Sequence, residues 1–431
     1  MFRSSANQIY ITLCNPIEQG EKMGQSKHQS QMQTYRDYLR QSAVPKQIID
    51  VFLDADQPSW AQFDPELGYV LANSLPRDGI DGSATISTVQ KNGARINHLY
   101  ADHPCRINTY GNSFTQCHQV SDGETWQSYL SAHLGEPVQN FGMGGYGTYQ
   151  AYRRMVRTET TEDSAEYVIL YVWGDDYLRN AMRCRYALIY PWWDHQGGLA
   201  FHNNFWMHLE IDLQTGQLRE QENQLPTSDS LSRMTDADFM VEALQNDLML
   251  QLCVATDVDP RSLQLERLNR LADIFGLPAL NPNQPDQLVE TAQQLKYAYG
   301  FAATKYVIDQ ARSFCQRNQK KLMFLLLCPR VTRQLLEGKP RYDQEIVDYL
   351  DSLKLRYFDA NLAHCRDFAD FSLPINEYMK RYYIGHYSPA GNHFFAYALK
   401  DMLIEWLEPK PISYSDPTTQ QINFKGYLPG F

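Results

Sequence analysis

The feature that most limits the fold of this chain is an alternation of short apolar runs with helical patterns, which begins near Arg106. Short apolar runs bounded by turn residues are typical of buried strands. Five of them are found, at residues 106–110, 138–141, 166–172, 322–328 and 355–359. Because strands that alternate with helices pair in parallel through right-handed crossovers, the sequence predicts an α/β fold of three layers with a central parallel sheet.

Segments outside these strands predict additions to the α/β core. Polar, turn-rich residues at the start predict an N-terminal extension. A β-hairpin and two helices, the first from Asp236 to Cys253, predict a cap inserted after the third strand. Residues rich in Pro, Ser and Thr predict an extended C-terminal arm. The resulting boundaries are 1–100 for the extension, 101–183 and 291–407 for the core, 184–290 for the cap and 408–431 for the arm.

Composition argues against several classes of partner. A net charge of −11 argues against nucleic acid and against an anionic membrane surface. The longest apolar run, residues 322–328, is too short to span a bilayer. The N-terminus lacks a signal-peptide pattern, and the eight cysteines show no C-x-x-C spacing. No set of His, Cys, Asp and Glu has metal-ligand spacing. We therefore expect a cytoplasmic protein with reduced cysteines, no metal and no cofactor, whose oligomeric state is open.

A turn at Gly111-Asn112-Ser113 connects the first predicted strand to the helix that follows it. A serine on such a turn presents its hydroxyl at the carboxyl edge of the sheet, beside a helix N-terminus. Nucleophiles and ligands gather at this edge in α/β proteins. Taken alone, the turn is weak evidence, because most turns of this kind are ordinary strand-to-helix connections.

Three later segments strengthen the interpretation of that turn. Gly142–Gly147 follows the second strand, Gly174-Asp175-Asp176 follows the third, and His386 precedes the helix start Ser388-Pro389-Ala390. In this order the four segments resemble the sequence blocks of the SGNH (GDSL-type) hydrolase family. The resemblance covers about residues 106–180 and 355–405. We expect the five strands to carry these segments at one edge, in the flavodoxin-like order 2-1-3-4-5.

The resemblance implies roles for the residues at matching positions. Ser113 is the implied nucleophile and His386 the implied base, because a serine hydroxyl reacts only when a base accepts its proton. The backbone N–H groups of Ser113 and Gly145 are the implied oxyanion donors. A purely structural histidine at a helix start, and a plain flexible turn at the glycines, are the alternatives.

The sequence departs from the family at three positions. Asn112 stands where the family has Asp. Asp175 stands where the family has an Asn whose amide helps to bind the oxyanion. The acid of the triad would fall on Tyr383 or Ile384, so no acid is carried over. A backbone carbonyl, a water, Asp176 or Tyr383 is then expected to hold the second nitrogen of the histidine.

Asp175 is difficult to reconcile with an oxyanion site, because an ionised carboxylate repels developing negative charge. Three solutions are open. Its side chain is protonated, with a pKa raised by burial. It rotates away and leaves the backbone donors to act alone. Alternatively, Asp175 or Asp176 has another role, such as orienting His386, binding a cationic substrate group, or only capping the following helix.

Five residues near these turns are expected to contact the substrate: Asn112, Tyr146, Asp176, Tyr177 and Trp193. The aromatic ones suit a sugar ring or an acyl chain. They equally suit the core that seats the cap hairpin. His118 lacks a partner pattern, so a surface or structural role is favoured for it.

The leading hypothesis is a serine esterase or deacetylase that cleaves a small acyl ester, or an O-acetylated carbohydrate, through an acyl-enzyme on Ser113. The carbohydrate rests on family analogy alone. The alternative is a protein of the same fold without ester hydrolysis. It would be a ligand-binding protein, an acyltransferase, or an acid–base enzyme such as a lyase that uses Asp175.

Overall fold

The computed structural model describes most of the chain: residues 35–57, 59–101, 103–172, 174, 176–189, 204–257, 263 and 265–415. Two of the predicted site residues, Asp175 and Trp193, lie outside the described residues. So does the predicted arm beyond residue 415.

The strands of the described residues group into one large sheet and two hairpins. They are β1 (Ala61–Asp64), β2 (Gly68–Leu71), β3 (Ile107–Tyr110), β4 (Gln139–Asn140), β5 (Tyr167–Val172), β6 (His208–Ile211), β7 (Leu218–Gln221), β8 (Lys321–Leu326) and β9 (Tyr357–Asp359). β1 pairs with β2 and β6 with β7, each antiparallel.

The α-helices of the described residues lie before, between and after these strands. They are α1 (Tyr35–Gln41), α2 (Lys46–Leu53), α3 (Ser113–Gln116), α4 (Trp126–Leu134), α5 (Thr148–Thr158), α6 (Asp176–Asn180), α7 (Tyr186–Ile189), α8 (Ala237–Leu244), α9 (Leu248–Asp257), α10 (Leu265–Phe275), α11 (Pro285–Arg317), α12 (Pro329–Leu336), α13 (Gln344–Ser352), α14 (Ala360–Phe368), α15 (Ile375–Tyr382) and α16 (Pro389–Trp406).

The central sheet has five strands in the spatial order β4-β3-β5-β8-β9. Every pair in it is parallel. Counted along the chain from β3, this order is 2-1-3-4-5, so the predicted sheet is confirmed. Its carboxyl edge therefore carries the turns after β3, β4 and β5 side by side, which is what the site requires.

Two hydrophobic clusters cover the two faces of the sheet. The middle strand β5 is buried at all six positions, and its side chains alternate between the clusters. Val168 and Leu170 enter one cluster, whereas Tyr167 and Ile169 enter the other. This period of two, with both faces buried, produces the three layers.

The extension and the cap share their core with the sheet. One cluster joins Tyr35 and Trp60 of the extension, Phe205 and Leu244 of the cap, and Phe324 of β8. The 33-residue helix α11 also begins at Pro285, six residues before the predicted return to the core at 291. The extension and the cap therefore bury apolar side chains in the same cluster as one face of the sheet.

The prediction of one helix from Asp236 to Cys253 was wrong, because the structure has two helices there, α8 and α9. Asp247 lies in the gap between them, and its carboxylate accepts a hydrogen bond from the Leu250 N–H at 2.9 Å. An aspartate in this position caps a new helix and competes with continuation of the old one. Among the described residues, no helix is both long and apolar enough to cross a membrane.

A buried histidine joins α14 to the segment that precedes α16. The Nδ1 atom of His364 lies 2.9 Å from the Tyr378 hydroxyl, and its Nε2 atom lies 2.7 Å from the Tyr387 hydroxyl. Burial lowers the pKa of His364 to about 3. The imidazole is therefore neutral in the folded protein at neutral pH.

This neutrality predicts a pH dependence of stability. In the unfolded chain His364 titrates near pH 6.5, so between pH 6.5 and about 3 the unfolded state binds the extra proton. The stability that the neutral His364 side chain contributes to the folded protein is present above pH 6.5 and is lost as the pH falls below that value. Urea unfolding should show that His364→Gln reduces the slope of unfolding free energy against pH by about 1.4 kcal/mol per pH unit. The matched control, His98→Gln at an exposed position, should keep the wild-type slope.

Candidate active site

The predicted nucleophile and base meet at the carboxyl edge of the sheet. Ser113 opens α3 directly after β3, and His386 precedes α16. The Oγ atom of Ser113 lies 2.7 Å from the Nε2 atom of His386, although the residues are 273 positions apart. Both residues are buried. The two side chains thus have the separation that proton transfer requires.

The turn before Ser113 is fixed by a close approach and a helix cap. A Cβ atom on Gly111 would lie 2.6 Å from the Cβ atom of Tyr171 on the adjacent strand, so only glycine fits. Asn112 is the N-cap of α3, and its Oδ1 atom accepts a hydrogen bond from the Phe114 N–H at 2.9 Å. The strand therefore turns sharply into the helix at Ser113.

Gln119 occupies the position that an acid holds in a serine triad. Its Oε1 atom accepts a hydrogen bond from the backbone N–H of His386 at 2.7 Å and lies 3.0 Å from the Nδ1 atom of that ring. Its Nε2 atom donates to the backbone carbonyl of Asp78 at 2.9 Å. A backbone N–H only donates and a carbonyl only accepts, so these two groups determine which end of the amide faces His386.

The amide in turn determines where the proton of the ring lies. Because Gln119 Oε1 is an acceptor, Nδ1 of His386 carries the proton and donates it to that oxygen. The Nε2 atom then has the lone pair that accepts the hydroxyl proton of Ser113. Burial lowers the pKa of His386 well below its usual value, so the ring is neutral. The resting pair is therefore a neutral base beside a protonated serine.

Neither of the side chains expected to hold the second nitrogen is used for it. The Tyr383 hydroxyl lies 3.1 Å from Nε2 of His364. The Asp176 carboxylate accepts from the Asn112 amide and from Arg179. Sequence reasoning missed Gln119, because a glutamine six residues after the serine matches no motif.

A glycine next to the histidine makes room for Gln119. Gly385 has a φ of +119°, which lies in the region that favours glycine. A Cβ atom there would lie 2.8 Å from Oε1 of Gln119. A side chain at this position would therefore displace the amide from His386. The glycine just before the histidine was the one signal in the sequence for a close neighbour.

The loop from Cys117 to Val120 is held by a buried guanidinium from the extension, that of Arg95. Cys117 and Gln119 have positive φ angles of 60° and 74°, which non-glycine residues adopt at a cost. The Nε atom of Arg95 donates to the Asp122 carboxylate at 2.8 Å. Its other N–H groups donate to the carbonyls of Ile86, Gln116, Cys117 and Val120. All five donors are used, and the strained loop is held by them.

The glycine-rich turn after β4 packs directly against α3. A Cβ atom on Gly142 would overlap the backbone of α3, and the N–H of Gly144 donates to Oε1 of Gln116 at 2.6 Å. Gly145 has a φ of +81°. The N–H groups of Ser113 and Gly145 donate to no acceptor among the described residues. They remain available for a ligand oxygen, as expected of oxyanion donors.

Asn112 and Asp176 form a buried amide–carboxylate pair. The Nδ2 atom of Asn112 lies 3.1 Å from both carboxylate oxygens of Asp176, which also accepts from Arg179 at 3.0 Å. An aspartate at position 112 would place two carboxylates in contact in a buried site. An asparagine at position 112 therefore fits beside Asp176, whereas an aspartate does not.

The two predicted aromatic residues that the structure describes lie in the core. The ring of Tyr146 is fully buried, and its hydroxyl donates to the Tyr69 carbonyl at 2.5 Å. Tyr177 packs edge to face on Phe301, with ring centres 5.3 Å apart. Their contact with a substrate stays a prediction, as do the roles of Asp175 and Trp193 outside the described residues.

The Asn112–Asp176 pair predicts the outcome of a charge exchange. Asn112→Asp should lower the free energy of unfolding by about 3 kcal/mol, because it buries a second carboxylate without a partner. Asn112→Asp combined with Asp176→Asn restores one amide and one carboxylate. Urea denaturation of the wild type, the two single variants and the double variant should give a favourable coupling free energy of about 2 kcal/mol between the two positions. Additive losses in the double variant would show that the pair is not a unit.

Comparison with known proteins assigns no family to this geometry. No family model matches the chain, and no curated protein matches it significantly. The function is therefore argued from the arrangement of Ser113, His386 and Gln119.

Proposed function

We propose that the protein is a serine hydrolase that cleaves a small acyl ester through an acyl-enzyme on Ser113. The observation that carries the proposal is the 2.7 Å contact between Ser113 Oγ and His386 Nε2. The Gln119 amide supports it, because it leaves Nε2 of His386 unprotonated and able to accept the serine proton. The resemblance to SGNH hydrolases at the four turns supports the same reaction class.

Each step of the reaction uses groups at this edge. As Ser113 Oγ attacks the acyl carbonyl, its proton passes to Nε2 of His386. The N–H groups of Ser113 and Gly145 receive the negative charge on the carbonyl oxygen. When the ester bond breaks, His386 returns the proton to the leaving alkoxide. A water then loses a proton to Nε2 and attacks the acyl-enzyme, and His386 protonates the departing Ser113 Oγ.

Burial of the pair favours a small acyl group. Ser113 is 4% exposed and His386 is 2% exposed. An acetyl group, alone or on a carbohydrate, fits this enclosure better than a long chain does. The seven cysteines of the described ranges are all free thiols, which supports a reducing compartment and hence the cytoplasm.

A labelling experiment tests the covalent step without knowledge of the substrate. A fluorophosphonate probe should modify the wild-type protein at Ser113, located by peptide mapping. Ser113→Ala and His386→Ala should each abolish labelling and reduce turnover of 4-nitrophenyl acetate at least about 10³-fold. The double variant should be little worse than either single one, because the residues act as one unit.

The control for this experiment is Ser83→Ala, at an exposed serine. It should be labelled as the wild type is. If the wild type is not labelled, or if Ser113→Ala keeps more than about a tenth of turnover, the site does not perform covalent serine catalysis. The alternatives of ligand binding or acid–base chemistry would then replace it.

A second prediction concerns the amide that sets the tautomer. Gln119→Leu removes the acceptor from Nδ1 of His386 and should reduce kcat about 10³- to 10⁴-fold. Gln119→Glu keeps an acceptor oxygen, although it loses the donor to the Asp78 carbonyl. It should retain at least about tenfold more activity than Gln119→Leu. Steady-state kinetics on folded variants provides the measurement, and equal losses in the two variants would contradict this role.

A further inference from the structure

An imidazole–carboxylate pair lies beside the base. The Nε2 atom of His118 is 2.7 Å from the Oδ2 atom of Asp78. The rings of His118 and His386 are 5.2 Å apart between centres. The rings of Trp60 and His118 pack edge to face, with centres 5.8 Å apart. The side chains of His118 and Asp78 are 22% and 19% exposed, so the pair is more open to solvent than His386.

Asp78 reaches His386 by two routes. Its backbone carbonyl accepts from the Gln119 amide, which bonds to Nδ1 of His386. Its carboxylate binds His118 through Oδ2, and Oδ1 accepts from the Thr85 hydroxyl at 3.0 Å. One residue of the extension is therefore connected to the base through both its backbone and its side chain.

The array Ser113–His386–Gln119 contains no negative charge. When His386 takes the serine proton, it becomes a buried cation, and an amide dipole compensates it less than a carboxylate does. Among the described residues, the charged or titratable groups that act on His386 are His118, Asp78 and Arg179, and Ser113 is in hydrogen-bond contact with it. Among the described residues of this region, the Asp176 carboxylate is bound to Arg179 and the Asp78 carboxylate is bound to the His118 ring.

We propose that Asp78, held by His118, acts as a remote carboxylate that stabilises the His386 imidazolium in the transition state. The inference rests on the proposed function. Asp78 and His118 are positioning residues in it, since neither needs to contact the reacting atoms. Asp78 acts by its charge, and His118 both orients that carboxylate and, when protonated, cancels it.

The directions of the pKa shifts agree with this geometry. Burial acts to raise the pKa of Asp78. The hydrogen bond and charge of His118, together with the Thr85 hydroxyl and the charge of His386, outweigh burial, so the pKa lies below its usual value and the carboxylate is ionised. Burial is the largest influence that lowers the pKa of His386. The charge of His118 lowers it further, and the charge of Asp78 raises it.

The opposite effects of the two residues give an experiment that needs no natural substrate. The rate of inactivation by a fluorophosphonate is measured against pH for the wild type, Asp78→Asn and His118→Gln. Asp78→Asn removes an anion, so the acid limb of the curve of inactivation rate against pH should move down by roughly 0.5–1 pH unit. The plateau of that curve should be about tenfold lower, and the KI of the fluorophosphonate should not change. His118→Gln removes the charge that lowers the pKa of His386, so the limb should move up by a similar amount.

Asp81→Asn is the matched control, because Asp81 is exposed on the same loop, three residues from Asp78. It should reproduce the wild-type profile. Circular dichroism and thermal unfolding establish that each variant is folded. A lower plateau without movement of the acid limb would overturn the inference. Movement of the acid limb in the same direction in Asp78→Asn and His118→Gln would overturn it as well. Failure of the wild type to react at all would instead refute the proposed function, so the two failures are distinguishable.

Discussion

The side-chain amide of Gln119 connects three segments that are remote in sequence. It accepts from the backbone and ring of His386, and it donates to the backbone of Asp78. Both ends are bound to backbone groups of fixed polarity, so the amide has one allowed orientation. The position of the proton on His386, and hence the ability of its Nε2 atom to accept from Ser113, depends on that orientation. A rotated amide would leave the same atoms in place without a competent base.

The loop that carries Gln119 is held in place by a residue of the extension, Arg95. Arg95 uses all five donors on the carboxylate of Asp122 and on four backbone carbonyls around residues 86 and 116–120. A buried charge with an incomplete set of partners costs several kcal/mol, so this fully bonded guanidinium resists rearrangement of the loop. The extension, which supplies both Arg95 and Asp78, is therefore part of the site.

The sequence was sufficient to predict the order of the strands in the sheet and the contact between Ser113 and His386. Strand order follows from the alternation of elements, and parallel strands place their turns at one edge whatever their separation in the chain. Gln119 could not be predicted in the same way. Its contact depends on its own positive φ, on the space left at Gly385, and on Arg95 from a segment without any motif. None of these has a periodic signature.

Local hydrogen bonds also account for the wrong helix prediction at Asp247 and for the asparagine at position 112. Asp247 divides a continuous apolar pattern because its carboxylate caps α9, which is a local signal that the pattern outweighed. Position 112 is an asparagine, where the resemblance implies an aspartate, because Asp176 already supplies the carboxylate of a buried pair. Both depend on single hydrogen bonds, which composition and periodicity do not report.

The tautomer of His386 is the most direct test of this account. Long-range ¹H–¹⁵N correlation spectra of protein labelled with [¹⁵N]histidine distinguish Nδ1–H, Nε2–H and doubly protonated rings, and the signal of His386 is assigned by its loss in His386→Asn. At neutral pH the account predicts a neutral ring with the proton on Nδ1, and conversion of that signal in Gln119→Leu. A proton on Nε2, or an imidazolium at neutral pH, would contradict the assignment of Gln119 and with it the proposed mechanism.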